Sequence, residues 1–94
     1  MLENTIESYL VREVRKRGGL IVKLNPAFNK GIPDRLAIMP GGICIFIELK
    51  QDKGRVQPAQ IWWQNALRGL NQHAFILRSK DDVDELLRPL APIH

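Results

Sequence analysis

A chain of 94 residues has room for one domain, and an apolar fraction of 45% is ordinary for a globular one. Fourteen basic against ten acidic residues leave a net charge of +4, a lean towards polyanionic partners that many proteins without such partners share. The single cysteine, Cys44, excludes an internal disulfide framework and a cysteine metal cluster.

The N-terminus is acidic and amphipathic rather than basic then apolar, and no apolar run approaches the ~20 residues of a membrane span. The expected setting is a reducing cytoplasm, with no membrane. A domain this small buries a modest share of its surface, so association with a second copy is an easy source of stability.

From Asn4 to Arg17 the apolar residues Ile6, Leu10 and Val14 recur four apart, which predicts a helix capped by Asn4 and stopped by Gly18-Gly19. Glu7 rides the edge of its apolar stripe. At the third helical position it can reach back to Asn4 in a capping box, or it can serve a site. Leu20 to Leu24 reads as a short strand, followed by a polar loop from Asn25 to Ile32. Gly31 lets its own backbone come close to a partner there, such as a phosphate. Lys23 and Lys30 are either phosphate contacts or solvated lysines.

Gly31 to Lys50 then reads as two apolar strands joined by Pro40-Gly41-Gly42, with Asp34 opening the first and Glu48 and Lys50 closing the second. If all three turn residues form the hairpin loop, Met39 pairs with Ile43 and Asp34 lies opposite Glu48. Opposed side chains share a face at roughly 5 Å. Lys50, two residues beyond Glu48, shares it too. A two-residue Gly41-Gly42 loop would shift the register and send the carboxylates to opposite faces. Two adjacent carboxylates repel, and a divalent cation such as Mg²⁺ compensates them. The alternative is that Asp34 is a turn residue after Pro33, and that Glu48 and Lys50 are a solvated strand end.

The charged loop Gln51 to Arg55 offers Lys53 and Arg55 as contacts to a nucleic-acid backbone. Pro58 starts a second helix, Pro58 to Leu70, with a stripe of Trp63, Ala66, Leu67 and Leu70 widened by Ile61 and Trp62. Gln60 lies on this stripe. Adjacent Trp62 and Trp63 point about 100° apart, so one is expected in the core and the other at a boundary, a dimer contact or a DNA-facing surface. Asn71 is the expected C-cap. Ala74 to Leu77 is a last strand, and Ser79 with Asp82 starts a helix through Leu87, ended by Pro89, with Val83, Leu86 and Leu87 inward. His73 and His94 lack metal-ligand spacing. The order helix, three strands, helix, strand, helix predicts one α/β domain over 1–94, a mixed sheet flanked by helices.

Pro33-Asp34, a hairpin-length gap, then Glu48-Leu49-Lys50 resembles the PD-(D/E)XK nuclease signature. The fuller set, Gly31-Ile32-Pro33-Asp34 with Pro40-Gly41-Gly42 and the later Gln60, is similar to the virus-type replication-repair nuclease (VRR-Nuc) family, in particular its short stand-alone phage and bacterial members. The match runs from about Glu3 to about Leu87. The resemblance implies a restriction-endonuclease-like core and a metal-dependent DNA endonuclease. Asp34, Glu48 and the Leu49 carbonyl would hold Mg²⁺ or Mn²⁺, joined by Glu7 with Glu3 in reserve. Lys50 would act on the attacking water or the phosphate, and Gln60 would support the site. The same resemblance implies a homodimer that cuts branched DNA, above all Holliday junctions. A restriction- or repair-type nuclease on duplex or flap DNA, and a non-catalytic DNA-binding module, are the alternatives. The chain has no Gly-rich nucleotide loop, nucleophile elbow or zinc spacing, which disfavours a transferase or small-molecule enzyme.

Overall fold

The computed structural model describes residues 3–90, with side chains from residue 5 onward. Along the chain come α1 (Glu3–Lys16), β1 (Leu20–Lys23), β2 (Arg35–Met39), β3 (Ile43–Leu49), α2 (Pro58–Gly69), β4 (His73–Leu77) and α3 (Lys80–Leu87). The four strands form one sheet in the order β1-β2-β3-β4. β1, β2 and β3 pair antiparallel, whereas β4 runs parallel to β3 and is reached through the crossover helix α2. This is the expected α/β architecture and element order.

Pro40, Gly41 and Gly42 close the hairpin as a three-residue loop, with Met39 opposite Ile43. Both turn glycines have positive φ, 83° and 77°, a conformation in which a Cβ would be strained. The odd loop length fixes which side chains share each face. On one face Ala37, Met39, Ile45, Ile47, Leu49 and Leu77 meet Ile6, Leu10 and Val14 of α1 and Val83 and Leu87 of α3. This is the core, and each fully buried Ile or Leu in it contributes roughly 1.5–3 kcal/mol.

The second face carries two cross-strand rows, Leu20-Ile38-Cys44 and Val22-Leu36-Phe46. They are not roofed as the core face is: Leu20 is 65% exposed, and Val22, Ile38 and Cys44 are exposed too. The helix α2 packs on this face over β4, burying Gln64 and Leu67.

The broad apolar stripe expected for α2 is therefore only partly used. Because the helix seats on an edge strand, its contact is centred on Gln64 and Leu67. Leu70 is left 71% exposed, Trp62 63% exposed, and Trp63 half-buried. Its C-terminus is one residue earlier than expected. Leu70 is the C-cap, and Asn71 adopts φ 61° just beyond it. The amides of Asn71 and Gln72 then bond the carbonyls of Arg68 and Leu67 in a Schellman arrangement. The start of α3 is as expected, with Ser79 Oγ accepting from the Asp82 amide at 3.1 Å.

The β1–β2 loop is pressed onto the first turn of α2. A Cβ on Gly31, which has φ 85°, would lie 2.5 Å from the carbonyl carbon of Ala59. Gly31→Ala is therefore expected to lose about 2 kcal/mol or more, from strain plus a backbone clash. Gly41→Ala has a similar φ but open space around it, and should lose only about 1 kcal/mol. Urea unfolding of both variants checks this: equal losses would mean that the loop is not seated on α2.

Candidate active site

The second face has a third row, and it is charged. Beyond Lys23 and Arg35 the ladder continues, with the Leu24 amide donating to the Asp34 carbonyl at 2.8 Å. Arg35 faces Ile47, so the next position, Asp34, comes opposite Glu48, which pairs with Ile76 on its other side. Alternation puts both carboxylates on the face that carries Leu36 and Phe46.

Each carboxylate is tethered. Asp34 Oδ2 accepts from the Leu49 amide at 2.9 Å, so the acid on one strand is tied to the end of its neighbour. Glu48 is only 2% exposed, and its Oε2 accepts from Gln60 Nε2 at 3.2 Å. The other end of the Gln60 amide, Oε1, accepts from the Gln57 amide at 2.8 Å and caps α2. The cap fixes the orientation of the Gln60 amide, so its N–H is presented to Glu48. A boundary glutamine thus acts as helix cap and carboxylate anchor at once.

Lys50 follows β3 and is half-buried, its backbone amide bonded to the Leu77 carbonyl at 3.0 Å. The loop beyond it is held by a residue that local patterning does not reveal. Arg78 donates through Nη1 to the carbonyls of Gln51 and Gly54, at 3.0 and 2.6 Å. Lys53 and Arg55 stand exposed on that loop, and Lys30 and Lys23 are exposed on the other side of Asp34 in the chain.

No protein-family model matches the chain. A phage protein described as "Putative nuclease p44", from Acyrthosiphon pisum secondary endosymbiont phage 1, is 38% identical over 79 residues, which are 84% of this chain and 85% of that protein. A solved structure described as a VRR_NUC domain aligns with a TM-score of 0.85 at 29% identity, covering 92% of this chain and 94% of its own. The chain belongs to the VRR-Nuc family. Its fold is the PD-(D/E)XK one expected from Asp34 and Glu48-Leu49-Lys50.

The remaining residue expected at the site is the first-helix glutamate. Glu7 forms an ion pair with Arg35 Nη2, and Lys23 Nζ lies 3.8 Å from its other oxygen. Arg35 also donates through Nη1 to the Asp34 carbonyl at 3.2 Å, so it links α1 to the strand that carries the acid. Among the described residues, no group of three or more His, Cys, Asp or Glu side chains is close enough to hold a metal ion together. The side chains of Asn4 and Glu3, needed for the capping box and for the reserve ligand, lie outside the described residues, as does His94. His73 is exposed.

The Glu7–Arg35 pair is half-sheltered, at 31% and 13% side-chain exposure. A double-mutant cycle of Glu7→Gln and Arg35→Gln should give a coupling of about 0.5–1 kcal/mol in urea unfolding. Additive losses would detach Glu7 from Arg35.

Proposed function

We propose that this protein is a metal-dependent DNA endonuclease whose reaction centre is Asp34, Glu48 and Lys50. The observation that carries the reading is the hairpin register, which sets two carboxylates opposite each other on one face with a lysine next in line. Two tethered carboxylates with a carbonyl oxygen, that of Leu49, are a hard-oxygen donor set. It fits Mg²⁺ or Mn²⁺, which take one or two carboxylates and fill the remaining positions with water and phosphate oxygens. Such an ion, when bound, lowers the pKa of a coordinated water and neutralises charge on the scissile phosphate.

The chain's own groups do the rest. Asp34 and Glu48 are oriented by Leu49 and Gln60, so little side-chain freedom remains to be lost as substrate binds. Lys50 sets an ammonium beside the phosphate and stabilises the charge that builds on it in the transition state. Glu7, paired here with Arg35, would be the further ligand, directly or through water. Lys23, Lys30, Lys53 and Arg55 contact the DNA backbone and position it without reading sequence.

Asp34→Asn, Glu48→Gln and Lys50→Ala should each abolish cleavage while DNA binding survives. The assay uses labelled four-way junction, flap, duplex and single-stranded DNA, each with EDTA, Mg²⁺ or Mn²⁺. Near-normal turnover in one variant removes that residue from the mechanism. Cleavage in EDTA removes the metal. Binding without cleavage by the wild type, under every condition, leaves a DNA-binding module.

The substrate preferred in this reading is a four-way junction, cut by a homodimer whose two-fold axis matches the symmetry of the junction. Support for the dimer comes from the second sheet face, where the rows Leu20-Ile38-Cys44 and Val22-Leu36-Phe46 lie partly open to water. Contiguous apolar patches of this kind mark association surfaces. A second copy seated there would leave both charged rows at the rim of one surface. Trp62 and Leu70 on α2 add exposed apolar area on the side of the sheet where this face lies. Sedimentation velocity at micromolar concentration should give twice 10.8 kDa, and Ile38→Asp should give the monomer with its fold intact. A wild-type monomer at all concentrations, with or without DNA, rules out the dimer and reduces the junction reading to a nickase.

A further inference from the structure

Phe28 is the most exposed of the large apolar side chains among the described residues, at 86%. It stands in the middle of the β1–β2 loop, six residues before Asp34. On a freely moving loop such exposure would carry little meaning, but this loop is fastened on both sides of the ring. The Ala27 amide donates to Asn25 Oδ1 at 2.9 Å, closing a side-chain turn just before it. The Ile32 amide donates to the Asn29 main-chain carbonyl at 3.1 Å, closing a backbone turn just after it. Trp63 Nε1 donates to the Lys30 carbonyl at 3.0 Å, and Gly31 sits against Ala59. A fastened loop thus holds an aromatic ring out in water, with Asn29 and Lys30 beside it in the chain.

The surroundings narrow the occupant. An apolar protein surface would be met by apolar neighbours, as on the open sheet face, whereas Phe28 is followed by an amide and an ammonium. A partner with a flat π-face joined to an anionic backbone satisfies both. We infer that Phe28 is a stacking site for an unpaired nucleobase, with Lys30 taking the adjoining phosphate. This inference rests on the nuclease reading above and names the feature of the substrate that the loop reads.

Six residues span at most about 20 Å. At about 3.4 Å per nucleotide, the stacked base then lies within roughly six nucleotides of the scissile phosphate. Bases in an intact duplex have both faces covered by their neighbours. Only a junction centre, a bulge, a gap or a single strand offers a free one. Phe28 therefore gives a preference for interrupted DNA, independent of base sequence. Trp62 does not compete for this role. Trp63 turns towards the loop, so its neighbour Trp62 projects about 100° away around α2.

The test compares a paired duplex with the same duplex carrying one unpaired 2-aminopurine, with Ca²⁺ replacing Mg²⁺ for binding. Wild-type protein should bind the bulged DNA roughly tenfold more tightly than the duplex and quench the 2-aminopurine. Phe28→Ala should lose both effects while keeping its thermal midpoint, its duplex affinity and its sedimentation coefficient. Phe28→Trp should keep both, and Phe28→Leu should lose the quenching. The inference is overturned if Phe28→Ala retains the preference and the quenching. It is also overturned if that variant sediments as a smaller species, which would make Phe28 an interface residue. If the wild type cuts duplex and bulge in Mg²⁺ while the Phe28 variants behave alike, this inference fails and the nuclease reading stands. If the wild type neither binds nor cuts any DNA, both fall.

Discussion

The length of one turn governs most of this molecule. Pro40, Gly41 and Gly42 make a three-residue connection, and a hairpin of fixed loop length has a fixed register. That register sends Ala37, Met39, Ile45 and Ile47 to the core, and Leu36, Phe46, Asp34 and Glu48 to the opposite face. A slip by one residue would send the two carboxylates to opposite faces and turn the core side chains of one of the two strands out of the core. The same constraint therefore selects the fold and brings the two acids together, so the acidic pair cannot be lost by slippage without unfolding the sheet.

Within that frame the acids are held by groups that also serve the architecture. The Leu49 amide that binds Asp34 belongs to the end of β3, and the Gln60 that binds Glu48 caps α2. Arg35 links α1 to the backbone of Asp34. Three elements thus converge on one row of the sheet. Asp34 and Glu48 resist pairing because like charges in a sheltered place repel, and hydrogen bonds from fixed donors offset part of that repulsion. Small domains have few residues to spare for a separate supporting shell. Here helix caps and strand ends supply it.

The sequence made the hairpin and both acids readable, and left two registers to choose between, because each depends on local order: turn residues, alternation and a short span between Asp34 and Glu48. The helix stops and the Ser79 cap were readable for the same reason. What local order does not encode is which partner an exposed flank meets. The wide apolar stripe of Pro58 to Leu70 suggested a deeply seated helix, yet Leu70 and Trp62 stand in water because α2 rests on an edge strand. Arg78 reaches a loop 24 to 27 residues back in the chain, and the Glu7–Arg35 pair spans 28. Neither pairing leaves a mark at helical or strand spacing. Gln60 was visible as a polar residue on an apolar stripe, but its double role needed the sheet in place.

The two faces of the sheet divide the labour unequally, and the division has a physical reason. One face is roofed by α1 and α3 and holds the whole apolar cluster. The other is roofed by α2 over β4 and lies partly open over β1, β2 and the start of β3. A site for a large polyanion has to sit on the open face, since DNA cannot enter a packed core. Yet an open apolar sheet face is itself a liability in water. Grading that face along the strands reconciles the two requirements. Apolar rows towards the hairpin turn provide a surface that association can cover. The charged row at the far end, beside the loop that carries Phe28, would then be left for the nucleic acid of the proposed reading.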